Sequence, residues 1–248
     1  MIKFTRAIKK IFLTAVTLLL VLVIIFFMIQ KNSKNLNRDR VALVDVIGNS
    51  YIFRGNNPFV TKNGKRVFAY DELKSQFNEI LQQQGYDAVQ NYHLIDISLL
   101  DLDEYYTLQE EKSFFSKNPE YGGVMINIST LSPSLLFEGF AESNFVTKHI
   151  TTDYSQWVTN TLEEIHEMAS RQTDKPVIIY IHCDGGRDRT GLIVAGYRML
   201  FNNMNYAQVK LKNVNEVGRN SEALYDQAIH SYCLHIKRSY RKADDYCI

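Results

Sequence analysis

Proline and cysteine are scarce in this chain, with 4 Pro and 3 Cys in 248 residues, and glycine contributes only 12. So few breakers exclude a collagen-like, linker-like or low-complexity chain. The 46% of hydrophobic residues suffice for one globular core of roughly 200 residues. The three cysteines, Cys183, Cys233 and Cys247, are odd in number and too few for a disulfide framework. They also lack metal-ligand spacing such as C-x-x-C, so no metal is expected and a free thiol is the simpler reading. Net charge is almost absent: 28 Lys+Arg against 27 Asp+Glu leave +1, which excludes a basic nucleic-acid binder and an acidic disordered tail.

That balance hides an asymmetry. Residues 1–40 carry eight Lys/Arg and a single acid, Asp39, or +7, which leaves 20 bases and 26 acids, or −6, for residues 41–248. Between the basic groups of the first forty residues runs an uncharged stretch, Ile11 to Ile29. At about 1.5 Å per residue, it matches the hydrocarbon thickness of a bilayer. It exceeds the apolar core of a cleaved signal peptide and is followed by Phe26-Phe27-Met28-Ile29-Gln30 without a small-residue cleavage site. The expected organisation is a basic flank (1–10), an uncleaved single-pass signal anchor (11–29), a polar stalk (30–40) and a folded domain (41–248). Lys3, Arg6, Lys9 and Lys10 before the span balance Lys31, Lys34, Arg38 and Arg40 after it, so the positive-inside count assigns no side.

In the domain, Val41 to Phe53 reads as short strands broken at Gly48-Asn49-Ser50. Asp71 is placed to cap a helix carrying Leu73, Phe77, Ile80 and Leu81 on one face and ending near Gly85. His93 to Leu100 reads as a strand, Asp103 to Lys117 as a helix and Val124 to Ile128 as a further strand. Phe145 to Ile150 suggests a strand, Thr151 to Gln156 a loop, and Trp157 to Ser170 a helix with Val158, Leu162, Ile165 and Met168 at helical spacing. After Pro176, the run Val177 to Ile181 is continuously apolar, as in a strand buried on both faces. The loop HCDGGRDRTG and a helix from Gly191 to about Phe201 follow directly. Strand, glycine-bearing loop and helix in that order place the loop where open α/β sheets bind ligands.

The chemistry of that loop follows from its residue types. Successive backbone N–H groups wrapping into a helix N-terminus form a nest for a phosphate, and Gly185 and Gly186 let the backbone turn tightly. Arg189 can grip two phosphate oxygens through its planar fork. The same positive field favours a thiolate at Cys183, so a nucleophile stands at the head of an anion site. Asp184, Gly185, Gly186, Arg187 and Thr190 complete the candidate binding set.

His182-Cys183-Asp184-Gly185-Gly186-Arg187-Asp188-Arg189-Thr190-Gly191, containing Cys-x5-Arg-Thr-Gly, resembles the signature loop of the cysteine-dependent protein tyrosine and dual-specificity phosphatases, in its bacterial form. The resemblance implies an α/β fold with a central, mostly parallel sheet flanked by helices, here preceded by one transmembrane helix, and no cofactor. It implies that Cys183 attacks phosphorus, that Arg189 holds the oxygens, that His182 supports the loop, and that Thr190 donates its hydroxyl to the departing thiolate. Two aspartates compete for general acid. Asp153 stands thirty positions before Cys183, as the acid does in these families, but without their Trp-Pro-Asp triplet; it could equally be an N-cap. Asp188 lies inside the loop, as in bacterial lipid-acting and triple-specificity relatives, where a lysine usually stands in place of Arg187. Asn215-Glu216-x-x-Arg219 and Gln227 fall where relatives pack a helical end under the site. Tyr51-Ile52-Phe53-Arg54-Gly55-Asn56-Asn57-Pro58 is similar to the short opening motif of bacterial dual-specificity-like phosphatases.

The implied function is phosphomonoester hydrolysis through a phosphocysteine, on phosphotyrosine or phosphoserine/threonine proteins. The alternative substrate is a phosphoinositide or inositol phosphate, towards which Arg187 and Lys148 lean. A membrane-anchored, non-catalytic phosphate-binding module is the alternative of another class.

Overall fold

The structure is a computed structural model that describes residues 14–20, 35–101, 104–128 and 144–248; in the helix that begins at Asn144, side chains are described from Tyr154 onward. Strands β1 (Ala42–Ile47) and β2 (Ser50–Asn56) form a hairpin, and β3 (Phe59–Lys62) and β4 (Lys65–Phe68) form a second. Helix α1 (Tyr70–Gln83), β5 (His93–Ser98), α2 (Tyr105–Lys117), β6 (Val124–Asn127) and α3 (Asn144–Ser170) follow. The chain then runs through β7 (Val177–Cys183), α4 (Asp188–Phe201), α5 (Tyr206–Val217) and α6 (Ala223–Ser239) to a 3₁₀ turn at Asp244–Cys247. The main sheet has the order β1-β2-β7-β5-β6, parallel except for the β1–β2 pair. This is the expected α/β fold with a mostly parallel sheet flanked by helices.

The sheet is central because β7 is buried at all seven positions. Alternate residues of a strand point to opposite faces, so Val177, Ile179 and Ile181 join one core, while Ile178 and Tyr180 join the other. The first core holds α3, α4 and α6 through Val158, Leu162, Ile193, Tyr232 and Ile236. The second holds α1 through Leu73, Phe77 and Leu81. The register places Asn56 opposite Cys183 and Ser98 opposite His182, so β2 and β5 end on either side of the loop after β7.

Several expectations need correction. Asp71 is not the cap of α1: Ala69 occupies that position without a side-chain bond, and Asp71 lies in the first turn, where its charge complements the helix dipole. The strand expected at Phe145–Ile150 and the loop at Thr151–Gln156 are both parts of α3. No Gly or Pro interrupts that stretch, and the buried face of Tyr154, Val158 and Leu162 carries the helix through β-branched residues that cost only tenths of a kcal/mol each. Part of the stalk expected at 30–40 is docked on the domain. Asn35 O accepts from Asn56 Nδ2 at 2.8 Å, the Leu36 amide donates to Phe59 O at 2.6 Å, and Arg38 pairs with Glu79. Of the apolar stretch 11–29 only residues 14–20 are described; they are helical and exposed. The remainder and the basic flank lie outside the described residues, among which no helix is long and apolar enough to cross a membrane.

The cysteines also differ from expectation. Cys183 is free, but Cys233 and Cys247 form a disulfide, because the chain folds back after α6 and brings their Cα atoms to 5.8 Å. The bond closes a loop with a sequence separation of 14. Cys247→Ser is therefore expected to lower stability by about 3 kcal/mol. Calorimetry should register this as a fall of about 6–12 °C in Tm for a domain of this size; an unchanged Tm would show that the bond carries no stabilisation.

Candidate active site

Cys183 is the last residue of β7, and the chain turns immediately into the loop that opens α4. Its thiol is nearly buried and accepts the Gly186 amide at 3.2 Å. Gly186 has φ +65, and a Cβ there would lie 2.4 Å from the Gly55 carbonyl oxygen and 2.8 Å from the Asn56 amide. Only glycine supplies both the conformation and the close approach of loop to strand β2. Arg187 precedes α4 without a side-chain cap bond, so the first-turn amides are not claimed by that cap.

Beneath the loop lies Arg54, wholly buried. It donates to Gly186 O at 2.8 Å, to Asn213 Oδ1 at 2.6 Å and to Glu216 at 2.8 Å. Burial lowers the pKa of this guanidinium, and Glu216 opposes the shift. Glu216 also takes two hydrogen bonds from the buried Arg198. One carboxylate thus compensates two interior cations that would otherwise be costly. Asn57 Nδ2 donates to Asp184 Oδ1 at 3.3 Å, and the Asn57 amide to Asp184 O at 3.4 Å. The residues of the β2 motif, Arg54 to Asn57, are the ones that hold the loop from below.

Above it, a cavity of about 230 Å³ is lined by Cys183, Asp184, Gly185, Arg187, Asp188, Arg189, Arg219, Glu222 and Tyr225. Arg189, in the first turn of α4, is held by a group the sequence did not point to. Both its terminal nitrogens donate to Glu104 at 2.6 Å, and one also contacts Asp101 Oδ2 at 3.1 Å and Leu99 O at 3.0 Å. Burial would lower its pKa, but the bonds to Glu104 and the charges of Cys183 and Asp101 more than reverse that and raise it. A guanidinium has five N–H donors. The end-on pair is committed to Glu104, which leaves Nε–H and the second hydrogen of Nη2 as a side-on fork for an anion.

Asp188 lines the cavity, and both its oxygens are engaged: Oδ2 accepts from Arg219 at 2.8 Å and Oδ1 from the Glu222 amide at 2.9 Å. Asp153 lies within α3, not on a loop, among the residues whose side chains are not described, as does Lys148. Thr190 is buried, and its hydroxyl has no hydrogen-bond partner among the described residues. Gln227 is exposed on α6 and does not line the cavity. Sequence reasoning missed Arg40, whose guanidinium donates to Gly185 O at 2.9 Å. Its pKa is lowered by partial burial and by the neighbouring charges of Arg187 and Arg219. His182, at the end of β7, points away from the cavity into a buried pair of carboxyl groups: Asp96 Oδ1 at 3.0 Å and Glu111 Oε1 at 3.8 Å from its Nε2.

A model described as the tyrosine phosphatase family matches residues 74–205. No curated protein matches the chain. Similar solved structures include the core catalytic domain of the PP-IP phosphatase SIW14 from S. cerevisiae in complex with citrate, at 15% identity and a TM-score of 0.41, covering 85% of this chain and 96% of that one. PTPMT1 in complex with PI(5)P is 12% identical with a TM-score of 0.40, covering 79% of this chain and 97% of that one. P. aeruginosa TpbA is 15% identical with a TM-score of 0.37, covering 82% of this chain and 96% of that one.

Proposed function

The chain belongs to the tyrosine phosphatase family and is a phosphatase, a phosphoric monoester hydrolase; we propose that Cys183 performs the hydrolysis in two steps through a phosphocysteine, on phosphorylated proteins in the dual-specificity manner. The observation that carries this reading is the cavity that joins the Cys183 thiol, Arg189 and the start of α4. In the first step the thiolate attacks phosphorus, the P–O bond to the leaving group breaks and an aspartate supplies the proton for the departing oxygen. In the second, water attacks phosphorus and gives a proton to the same aspartate, the S–P bond breaks, and inorganic phosphate leaves the regenerated thiolate. The loop amides and the side-on fork of Arg189 hold the equatorial oxygens throughout.

A second substrate reading has its own support. Four guanidinium groups, from Arg40, Arg187, Arg189 and Arg219, stand at or beside one small cavity. That concentration of cations favours a ligand with more than one phosphate, such as a phosphoinositide or an inositol phosphate. Asp184 and Glu222 at the same mouth oppose it. The Ile11–Ile29 run supports a single-pass anchor, and the Cys233–Cys247 disulfide supports placing the domain on the oxidising side of that membrane.

The test is phosphate release by the full chain from phosphotyrosine and phosphoserine peptides, inositol phosphates and phosphoinositide vesicles. Release from the peptides is expected. A kcat/KM at least about tenfold higher for the inositol compounds, about 1.4 kcal/mol of transition-state preference, would favour the second reading. No release from any of them would overturn both and leave a phosphate-binding module. Run against pH with Asp188→Asn and Asp153→Asn, the same assay assigns the acid, whose variant loses the alkaline limb.

A further inference from the structure

Behind the loop lies a cluster that the two-step mechanism does not use. Asp96 on β5, Glu111 on α2 and His182 on β7 are all fully buried, with one polar atom of each within 4.8 Å of the others. None of their six polar atoms has a well-aligned hydrogen bond among the described residues, although His182 Nε2 is 3.0 Å from Asp96 Oδ1. Buried acceptors left in this way are costly unless protons are held between them.

Counting charge decides how many protons those are. With Asp96, Glu111 and His182 all ionised, the cluster is −1 immediately behind a loop that must hold a thiolate and a phosphate dianion. With all three neutral, two protons are held, both on carboxyl groups; no charge then supports the nucleophile, and the 3.0 Å contact is a neutral hydrogen bond, weaker than a charge-assisted one. Moving one of those two protons from Asp96 to His182 keeps the cluster neutral and creates an internal ion pair, and the distances fit it: Asp96, the nearer carboxylate, faces an imidazolium, while Glu111, at 3.8 Å, keeps its proton.

We propose that Asp96 and Glu111 are positioning residues for the phosphatase reaction, holding with His182 a buried two-proton cluster that fixes an imidazolium one residue before Cys183. The proposal rests on the cysteine-phosphatase reading of the loop. Asp96 supplies the counterion, and protonated Glu111 leaves that counterion uncontested. The other groups facing the cluster fit the same assignment. Tyr180 stacks on His182 with ring centroids 5.3 Å apart and donates its hydroxyl to Asn56 O, and burial pushes its phenol far above its usual range, so it stays neutral. Arg66 and Ser98 lie on the Glu111 side, and Arg54 and Cys183 influence Tyr180 from the loop side.

The electrostatics agree in direction. Burial would lower the His182 pKa, but Asp96 and Glu111 outweigh it and raise it to about 9. Burial raises the Glu111 pKa to about 8 against the opposing pull of His182. When pH rises far enough to take one of its two protons, the cluster turns negative behind the loop. The positive charge beside the loop is then offset.

The experiment uses the full chain and three readouts: the pH profile of kcat/KM, the pH dependence of Cys183 alkylation by iodoacetamide, and the imidazole ¹⁵N shifts of His182. Glu111→Gln, neutral at every pH, is expected to leave the kcat/KM limb set by the general acid in place and to lower the pH at which the ¹⁵N shifts show His182 losing its proton, because the Glu111 charge is one of the two that raise it. Asp96→Asn is expected to slow alkylation at pH 7 by about 10–100-fold, the scale of one hydrogen bond to a charged group, and to return the His182 shifts to those of a neutral ring. An unchanged His182 titration in Glu111→Gln together with an unchanged alkylation rate in Asp96→Asn would overturn the proposal. So would a neutral His182 at pH 7 in the unaltered chain, or one equivalent of bound metal in the purified protein. The ¹⁵N shifts need no variant to fold, and alkylation needs no substrate. If no phosphate is released, the phosphatase reading fails, while alkylation and the His182 shifts still decide the cluster.

Discussion

Cys183→Ser should abolish phosphate release, by roughly 10⁴- to 10⁶-fold in kcat, the scale seen when a covalent nucleophile is removed. The expectation comes from the chemistry of the position. A thiolate attacks at neutral pH without a base, whereas a serine hydroxyl must lose its proton as it attacks, and among the described residues no imidazole lines the cavity to take it. His182, the adjacent imidazole, faces Asp96 and Glu111 on the far side of the strand. The substitution is close to isosteric, and serine Oγ can still accept the Gly186 amide that meets the sulfur at 3.2 Å. The loop should therefore keep its shape. Inorganic phosphate, titrated calorimetrically into the variant, should bind within about threefold of the unaltered chain, a difference of about 0.7 kcal/mol. Loss of turnover with retained binding is the signature of a missing nucleophile. Undiminished release would sink the mechanism, and parallel loss of both would mean that the loop had collapsed.

The sequence made β7, the loop and α4 legible because three signals coincide there: a continuous apolar strand, glycines that a tight anion nest needs, and two arginines in a turn. The opening motif around Arg54 and the Asn215–Arg219 stretch were also visible, and both meet the loop, through Arg54, Asn57, Glu216 and Arg219. Their roles were not visible, because they depend on partners distant in the chain, 132 residues away for Arg54 and Gly186 and 31 for Arg219 and Asp188. The start of α3 reads as a strand in the sequence because Val146, Thr147 and Ile150 are β-branched. Local propensity there is overridden by the amphipathic face that follows, and the absence of Gly or Pro was the available clue. The Cys233–Cys247 pair was illegible for a different reason: two cysteines near one end become partners only when the chain reverses after α6.

Glu104 is the least legible part of the site, and it leads to the second large effect. Arg189→Lys should lower kcat by about 10²- to 10³-fold while leaving the charge unchanged. Arg189 performs two tasks at once. Its end-on edge is locked by two 2.6 Å bonds to Glu104, with Asp101 and the Leu99 carbonyl beside them, and that lock aims the side-on edge. An ammonium has three donors around one point and no plane, so a lysine can serve the carboxylates or the phosphate but cannot span both. Glu104 and Asp101 will win, because they are fixed in the fold, whereas the phosphoryl group bears its spread charge only in the transition state. The loss should therefore appear mainly in kcat, with KM changed far less. Glu104→Gln separates the two tasks: it keeps Arg189 but leaves a neutral partner where a bidentate carboxylate stood. Its cost should be smaller, about tenfold, and should fall on kcat as well, because what it loosens is the aim of the fork. If Arg189→Lys instead raises KM with kcat intact, Arg189 binds substrate and transition state alike, and the side-on fork has no special role in the chemical step.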